Sequence, residues 1–175
     1  ASQAAALPAA KGYQAVVSGS CSQATNAQVA VWKASGHPHK ALNLDEILGS
    51  AAQHQAEVQN VLSWAKGLLP QTPVLIYSTA DAASVKSTQS TLGSEVTGAR
   101  VEQALSAIAK GLVELGVYQL VVAGGETSGA CVQALGAPPA SWCRHHAKKM
   151  APKRLRLQGE LDRAKCRRYY RAAMF

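Results

Sequence analysis

The spacing of apolar residues changes period several times along the chain. Residues 13–18, YQAVVS, form a short apolar run that closes on a Gly/Ser cluster, which predicts a buried strand. GSCS at 19–22 reads as the following loop. Ser22 is placed to cap a helix from Gln23 to about Ser35, and Gly36 to stop it. Ala24, Ala27, Val31 and Ala34 recur at steps of three and four and predict the buried face of that helix. HPHKALNL, residues 37–44, suggests a second short strand. A helix is then expected from Asp45 to about Leu69, ended by Pro70. PVLIYS, residues 73–78, is charge-free and rich in strand-favouring side chains. Asp81 is expected to cap a short helix that ends by Gly93. Ser94 and Glu95 open a long one to about Leu115, carrying Val101, Leu105, Ile108, Leu112 and Leu115 as its apolar stripe, and Gly116 ends it. YQLVVAG, 118–124, is a further strand, GGETSG, 124–129, its exit loop, and ACVQALG, 130–136, a short helix with a glycine stop.

Strands that alternate with helices in this way predict an α/β fold, a three-layer sandwich around a largely parallel sheet. The 47% hydrophobic content supplies a core and excludes general disorder, and the 5% aromatic content argues against an aromatic-rich β sandwich. No apolar run approaches the roughly 20 residues of a membrane helix.

Charge divides the chain in two. Residues 1–136 carry seven Lys/Arg and eight Asp/Glu, whereas 137–175 carry eleven and two, so the whole net charge of +8 comes from the tail. Thirteen of the fourteen glycines precede residue 137. The expected organisation is therefore an α/β domain over 1–136, incomplete at its C-terminal end, followed by a basic tail over 137–175. Three readings of the tail stay open: a solvated basic helix, a nucleic-acid or partner-binding patch in which Tyr169 and Tyr170 stack on bases, and a stretch translated out of frame. The chain opens at Ala1 rather than Met, as a fragment of a longer protein would, and its first ten residues lack the basic and apolar regions of a secretory signal. Cys21, Cys131, Cys143 and Cys166 include no CxxC pair, so a reduced, cytoplasmic protein with free thiols is expected.

In a parallel sheet, ligands collect at the carboxyl ends of the strands. Two strands here end in small, hydroxyl-rich loops, SGSCS and GGETSG, each leading into a helix. Small residues let backbone amides approach phosphate oxygens, and a helix N-terminus adds partial positive charge. Neither loop carries the lysine of a GxxxxGK[ST] motif or the GxGxxG pattern. Glu126 could help hold a magnesium-bound phosphate or a ribose hydroxyl, or simply be an acid favoured at a helix start. Cys21 reads as a loop-packing residue rather than a nucleophile, His54 as a surface residue, and Trp32 and Trp64 as core. His37 and His39, and the set Cys143, His145 and His146, lack metal-site spacing, so no metal ligand is assigned.

The segments SGSCSQATNAQV, PVLIYSTAD, VEQALSAIAKGLVELGV and LVVAGGETSGACVQALG resemble the C-terminal nucleotide-binding domain of the four-carbon acid sugar kinases, a group that includes the 3-oxo-tetronate kinases. The likeness runs from about Tyr13 to Gly136. It implies a domain that binds ATP, with Mg2+, for transfer of the γ-phosphoryl group to a hydroxyl of a small sugar acid. Carried over residue by residue, Ser20 and Ser22 fall in the first nucleotide loop, and Gly124, Gly125, Glu126 and Thr127 in the second. The resemblance also implies that the sugar acid and the catalytic base belong mainly to an N-terminal domain, which this chain is expected to lack, so catalytic residues stay unassigned and the chain alone is expected to bind without turnover. The family's late KSGNFG-type loop has no counterpart after Gly136.

Overall fold

A computed structural model of the chain describes residues 12–78 and 95–136 with their side chains, and 94 and 169–173 as backbone. The expected helix between Asp81 and Gly93, and most of the basic tail, lie outside the described residues. The elements run β1 (Tyr13–Ser18), α1 (Gln23–Ala34), β2 (His39–Ala41), α2 (Leu44–Leu48), α3 (Ala51–Leu68), β3 (Val74–Tyr77), α4 (Ser94–Glu114), β4 (Val117–Ala123), α5 (Gly125–Ala134) and β5 (Tyr169–Ala173). The sheet has the order β2-β3-β1-β4-β5, and every neighbouring pair is parallel. The α/β class is as the alternation predicts. The tail contributes β5, whose backbone pairs with β4 from Gln119↔Tyr169 to Ala123↔Ala173.

β3 explains why the most hydrophobic run lies inside the sheet. Val74, Leu75, Ile76 and Tyr77 are all buried, as expected of a strand covered on both faces. Its side chains separate with period two. Val74 and Ile76 join the larger core with Ala15 and Val17 of β1, Leu120 and Val122 of β4, and Leu105, Ile108 and Leu112 of α4. Leu75 and Tyr77 turn to the other face and meet Val29 and Trp32 of α1, together with Val16. The first face thus carries α2 to α5 and the second carries α1.

The stripe on α4 is as expected: Leu105, Ile108 and Leu112 are fully buried, and Val101 and Leu115 pack against the core from its ends. Gly116, at φ +99°, terminates the helix and permits the immediate turn into β4. Trp32 and Trp64 are half-buried and pack against the cores, in line with expectation.

Four expectations are corrected. The buried face of α1 is Thr25 and Val29, with Trp32 half-buried beside them, whereas Ala24, Ala27 and Ala34 are exposed and Val31 is 70% exposed. Small alanines fit either face, and Trp32 decides the rotation by burying its ring while Nε1 donates to Pro38 O at 3.1 Å. The strand expected over 37–44 shortens to His39–Ala41, because Asn43 turns to cap α2 through its side chain. The helix expected from Asp45 to Leu69 is two helices. Ser50 and Gln53 form a capping box that starts α3 afresh. The carbonyls left open at the end of α2 are satisfied at long range: Arg100 donates to Ile47 O and Gly49 O, and the His54 ring lies 3.1 Å from Ile47 O. His54 is therefore half-buried and bonded rather than a free surface residue. Glu57, buried in α3, accepts from Asn43 N and Asn60 Nδ2, both at 3.0 Å, and so ties the start of α2 to α3.

Candidate functional site

Because all strands are parallel, their carboxyl ends lie along one edge. After β1 the chain leaves through α1 toward the β2 edge. After β4 it leaves through α5, with β5 on the opposite side. The two connections lie on opposite faces of adjacent strands, so the ends of β1 and β4 form a topological switch point, where a crevice opens. Both hydroxyl-rich loops meet there.

Their contact is close. Gly19 N donates to Ala123 O at 3.1 Å, which carries the β1–β4 ladder into the first loop. A Cβ on Gly124 would stand 3.2 Å from Ser20 N and 3.4 Å from Ser20 Cβ. On the other side, Ser78 N donates to Ser18 O at 2.9 Å. The end of β1 is thus bonded to both neighbouring strands, and the first loop has a fixed base.

The two helices that leave the crevice begin differently. At α1, Ser22 Oγ accepts from Thr25 N at 3.2 Å and donates to Thr25 Oγ1 at 2.9 Å, and Ser20 Oγ accepts from Ser22 N at 3.2 Å. Ser22 is fully engaged as a cap. Among the described residues Ser20 Oγ has no acceptor, so its proton is left to give. At α5, Gly124 is the cap residue at φ +114°, and no side chain caps the helix. Ser128 N and Ser128 Oγ both turn back to Gly124 O, at 2.9 and 2.6 Å. The amides of Gly125, Glu126 and Thr127 make up the first turn of a ten-residue helix with its positive dipole end at the crevice. Here the structure corrects the expected exit loop: only Gly124 is loop, and GETSG already winds as helix. Glycines at 125 and 129 conceal that helix from propensity, while Thr127, Ser128 and Cys131 on its inner face are buried.

Glu126 is exposed on that first turn, beside Glu102 of α4. Glu102 does not stand out in the sequence, since it reads as one more polar position between Val101 and Leu105. Its carboxyl is pushed above the ordinary 4.5, first by burial, then by the Glu126 charge and by a hydrogen bond to Glu126. The sign of the linkage follows: folded Glu102 holds its proton more tightly than unfolded Glu102, so stability falls as pH rises from the ordinary value through the raised one. Glu102→Gln should flatten that fall, measured as the urea midpoint at successive pH values; an unchanged slope would show that folding does not raise the Glu102 carboxyl.

Cys131 is buried, and burial followed by the Glu102 charge pushes its thiol up to about 12, so it carries no thiolate chemistry at neutral pH. Cys21 is exposed, which corrects its loop-packing reading. Among the described residues no group of three or more His, Cys, Asp or Glu could hold a metal ion, and no helix is long and apolar enough to cross a membrane.

Residues 15–160 match the family model described as "Nucleotide-binding C-terminal domain". A 3-oxo-tetronate kinase of Burkholderia multivorans is 50% identical over 133 residues, covering 76% of this chain and 30% of the kinase. That of Cupriavidus necator is 47% identical over 133 residues, covering 76% and 29%. The chain belongs to the C-terminal domain family of the four-carbon acid sugar kinases. It spans about 30% of the length of the curated relatives it matches and corresponds to their C-terminal part. Among solved structures, a Haemophilus influenzae protein superposes with TM-score 0.64 at 29% identity over 73% of this chain and 30% of that one. A Salmonella typhimurium LT2 protein, named as a tRNA synthase candidate, superposes with TM-score 0.65 at 32% identity over 72% and 30%.

Proposed function

We propose that the crevice between β1 and β4 binds the phosphates of ATP, and that the chain is the nucleotide half of a kinase acting on a small sugar acid. The observation that supports this most directly is the α5 N-terminus: uncapped by any side chain, it opens on a loop that touches it within van der Waals distance. Amides of Gly125, Glu126 and Thr127 would receive phosphate oxygens, Gly124 lets the backbone come close, and Ser20 Oγ would donate a further bond. Ser22 serves by holding α1 and its loop in place.

Glu102 and Glu126 are two hard oxygen donors that repel one another, which suits a divalent cation completed by phosphate and water. They would hold Mg2+ there, and the ion would offset charge on the phosphates. The rest of phosphoryl transfer is positioning. The sugar acid and the base that takes its hydroxyl proton would come from the N-terminal domain of a full-length protein. In this reading the isolated chain binds nucleotide without phosphorylating anything.

ATP with Mg2+ should raise the melting temperature of the chain. A ligand at 100 times its Kd stabilises by about 2.7 kcal/mol. No shift at millimolar ATP and Mg2+ would refute nucleotide binding by this chain.

A further inference from the structure

We propose that Gly19 is a positioning residue of the crevice, acting through Thr127; the inference rests on the nucleotide reading and deepens it. Gly19 follows β1 directly and lies in the SGSCS loop, but it is not among the residues the resemblance assigns to the nucleotide. A Cβ built on it would overlap Thr127 Oγ1, would lie 3.2 Å from Thr127 Cβ and would stand 2.9 Å from Leu105 Cδ1. Thr127 is 3% exposed and lies in the first turn of α5. Its hydroxyl also stands 3.2 Å from the place a Cβ on Gly124 would take. One side chain is therefore wedged between two glycines, one from each loop, and it sets their separation.

Backbone freedom is not the reason for glycine at 19, whose φ lies outside the left-handed region that side chains avoid. Space is the reason. Because α5 begins only two residues before Thr127, any displacement of Thr127 moves the Gly125, Glu126 and Thr127 amides relative to the first loop. A shift of a few tenths of an ångström is enough to misalign donors that must converge on one phosphate group. Thr127 therefore acts mainly as the spacer of the two loops, and the residue that admits the spacer is Gly19.

The test is a double-mutant cycle on the full chain, with ATP and Mg2+ titrated calorimetrically into the unaltered protein, Gly19→Ala, Thr127→Ala and the double variant. Gly19→Ala should weaken ATP roughly tenfold or more, as overpacking of a tight contact does. Thr127→Ala, which removes the overlapped hydroxyl and keeps the amide, should cost clearly less than Gly19→Ala, and the double variant should return to the affinity of Thr127→Ala. Thr127→Ser in the Gly19→Ala background keeps the hydroxyl and should rescue nothing. A double variant as weak as Gly19→Ala, or a Thr127→Ala loss as large as that of Gly19→Ala, overturns the proposal; the second result would make Thr127 a direct ligand. ATP binding that Gly19→Ala leaves unchanged overturns this inference alone, whereas no ATP binding by the unaltered chain overturns the nucleotide reading and the positioning role with it. Should Gly19→Ala fold poorly, urea unfolding of the double variant decides: recovered stability supports the wedge and its absence overturns it.

Discussion

Gly124→Ala should lose nucleotide affinity by more than tenfold and should also melt at a lower temperature. Two independent costs fall on this one methyl group. Gly124 holds φ +114° and ψ 131°, a backbone region that residues with a Cβ rarely enter, and such conformations cost roughly 1–3 kcal/mol. The new Cβ would also lie 3.2 Å from Ser20 N, a backbone atom held by a loop whose base is bonded to both neighbouring strands. Neither side can yield without turning the first amides of α5 or pushing the first loop away. Gly129→Ala is the matched control. It lies in the same helix with nothing within 4 Å of the added methyl, and should stabilise by about 0.5–1 kcal/mol by removing glycine from a helix interior. Differential scanning fluorimetry and ATP titration of both variants read the contrast. A Gly124→Ala protein that melts and binds like the unaltered chain would show that the close approach of the loops is unimportant.

Elements whose signals are local are legible in the sequence. The β3 run, the α4 stripe closed by Gly116, and Ser22 with Gly36 around α1 all depend on neighbours within one or two turns of chain. The elements that the sequence pattern misplaces depend on partners far away. The junction between α2 and α3 rests on Arg100, whose guanidinium reaches carbonyls about fifty residues earlier, and the rotation of α1 on a single tryptophan bond to Pro38 O. An alanine-rich face has too little hydrophobic contrast to report which side is buried.

The site divides along the same line. The loops that meet are visible as small residues at strand ends, because close backbone approach selects glycine and serine wherever it occurs. The roles of individual residues are less visible. The resemblance places Ser20 and Ser22 alike in the first nucleotide loop, yet Ser22 is consumed by the capping that its position predicts. The start of α5 is hidden by glycines that weaken helix propensity, although burial of Thr127, Ser128 and Cys131 makes that helix form. Glu102 pairs with Glu126 only because α4 and α5 pack side by side, and Gly19 matters only against Thr127.

The largest loss of stability is expected from the middle of α4. Ile108 is fully buried in the core shared by α3, α4, β1, β3 and β4, with Leu105 and Leu112 one turn to either side. Truncating a buried isoleucine to alanine removes apolar contact and leaves a cavity that close-packed neighbours only partly fill, at a cost of about 2–5 kcal/mol. Single domains are stable by about 5–15 kcal/mol, so Ile108→Ala should take a large share of the total. Val31→Ala deletes apolar atoms from a side chain that is already 70% exposed and should stay within about 0.5 kcal/mol of the unaltered chain. Urea unfolding followed by circular dichroism measures both. Because α4 carries Glu102 and Leu105 to the crevice, the Ile108→Ala protein should also bind ATP more weakly at temperatures near its own midpoint, and normally well below it. A persistent affinity loss in the cold would mean that α4 shapes the crevice directly rather than by keeping the domain folded.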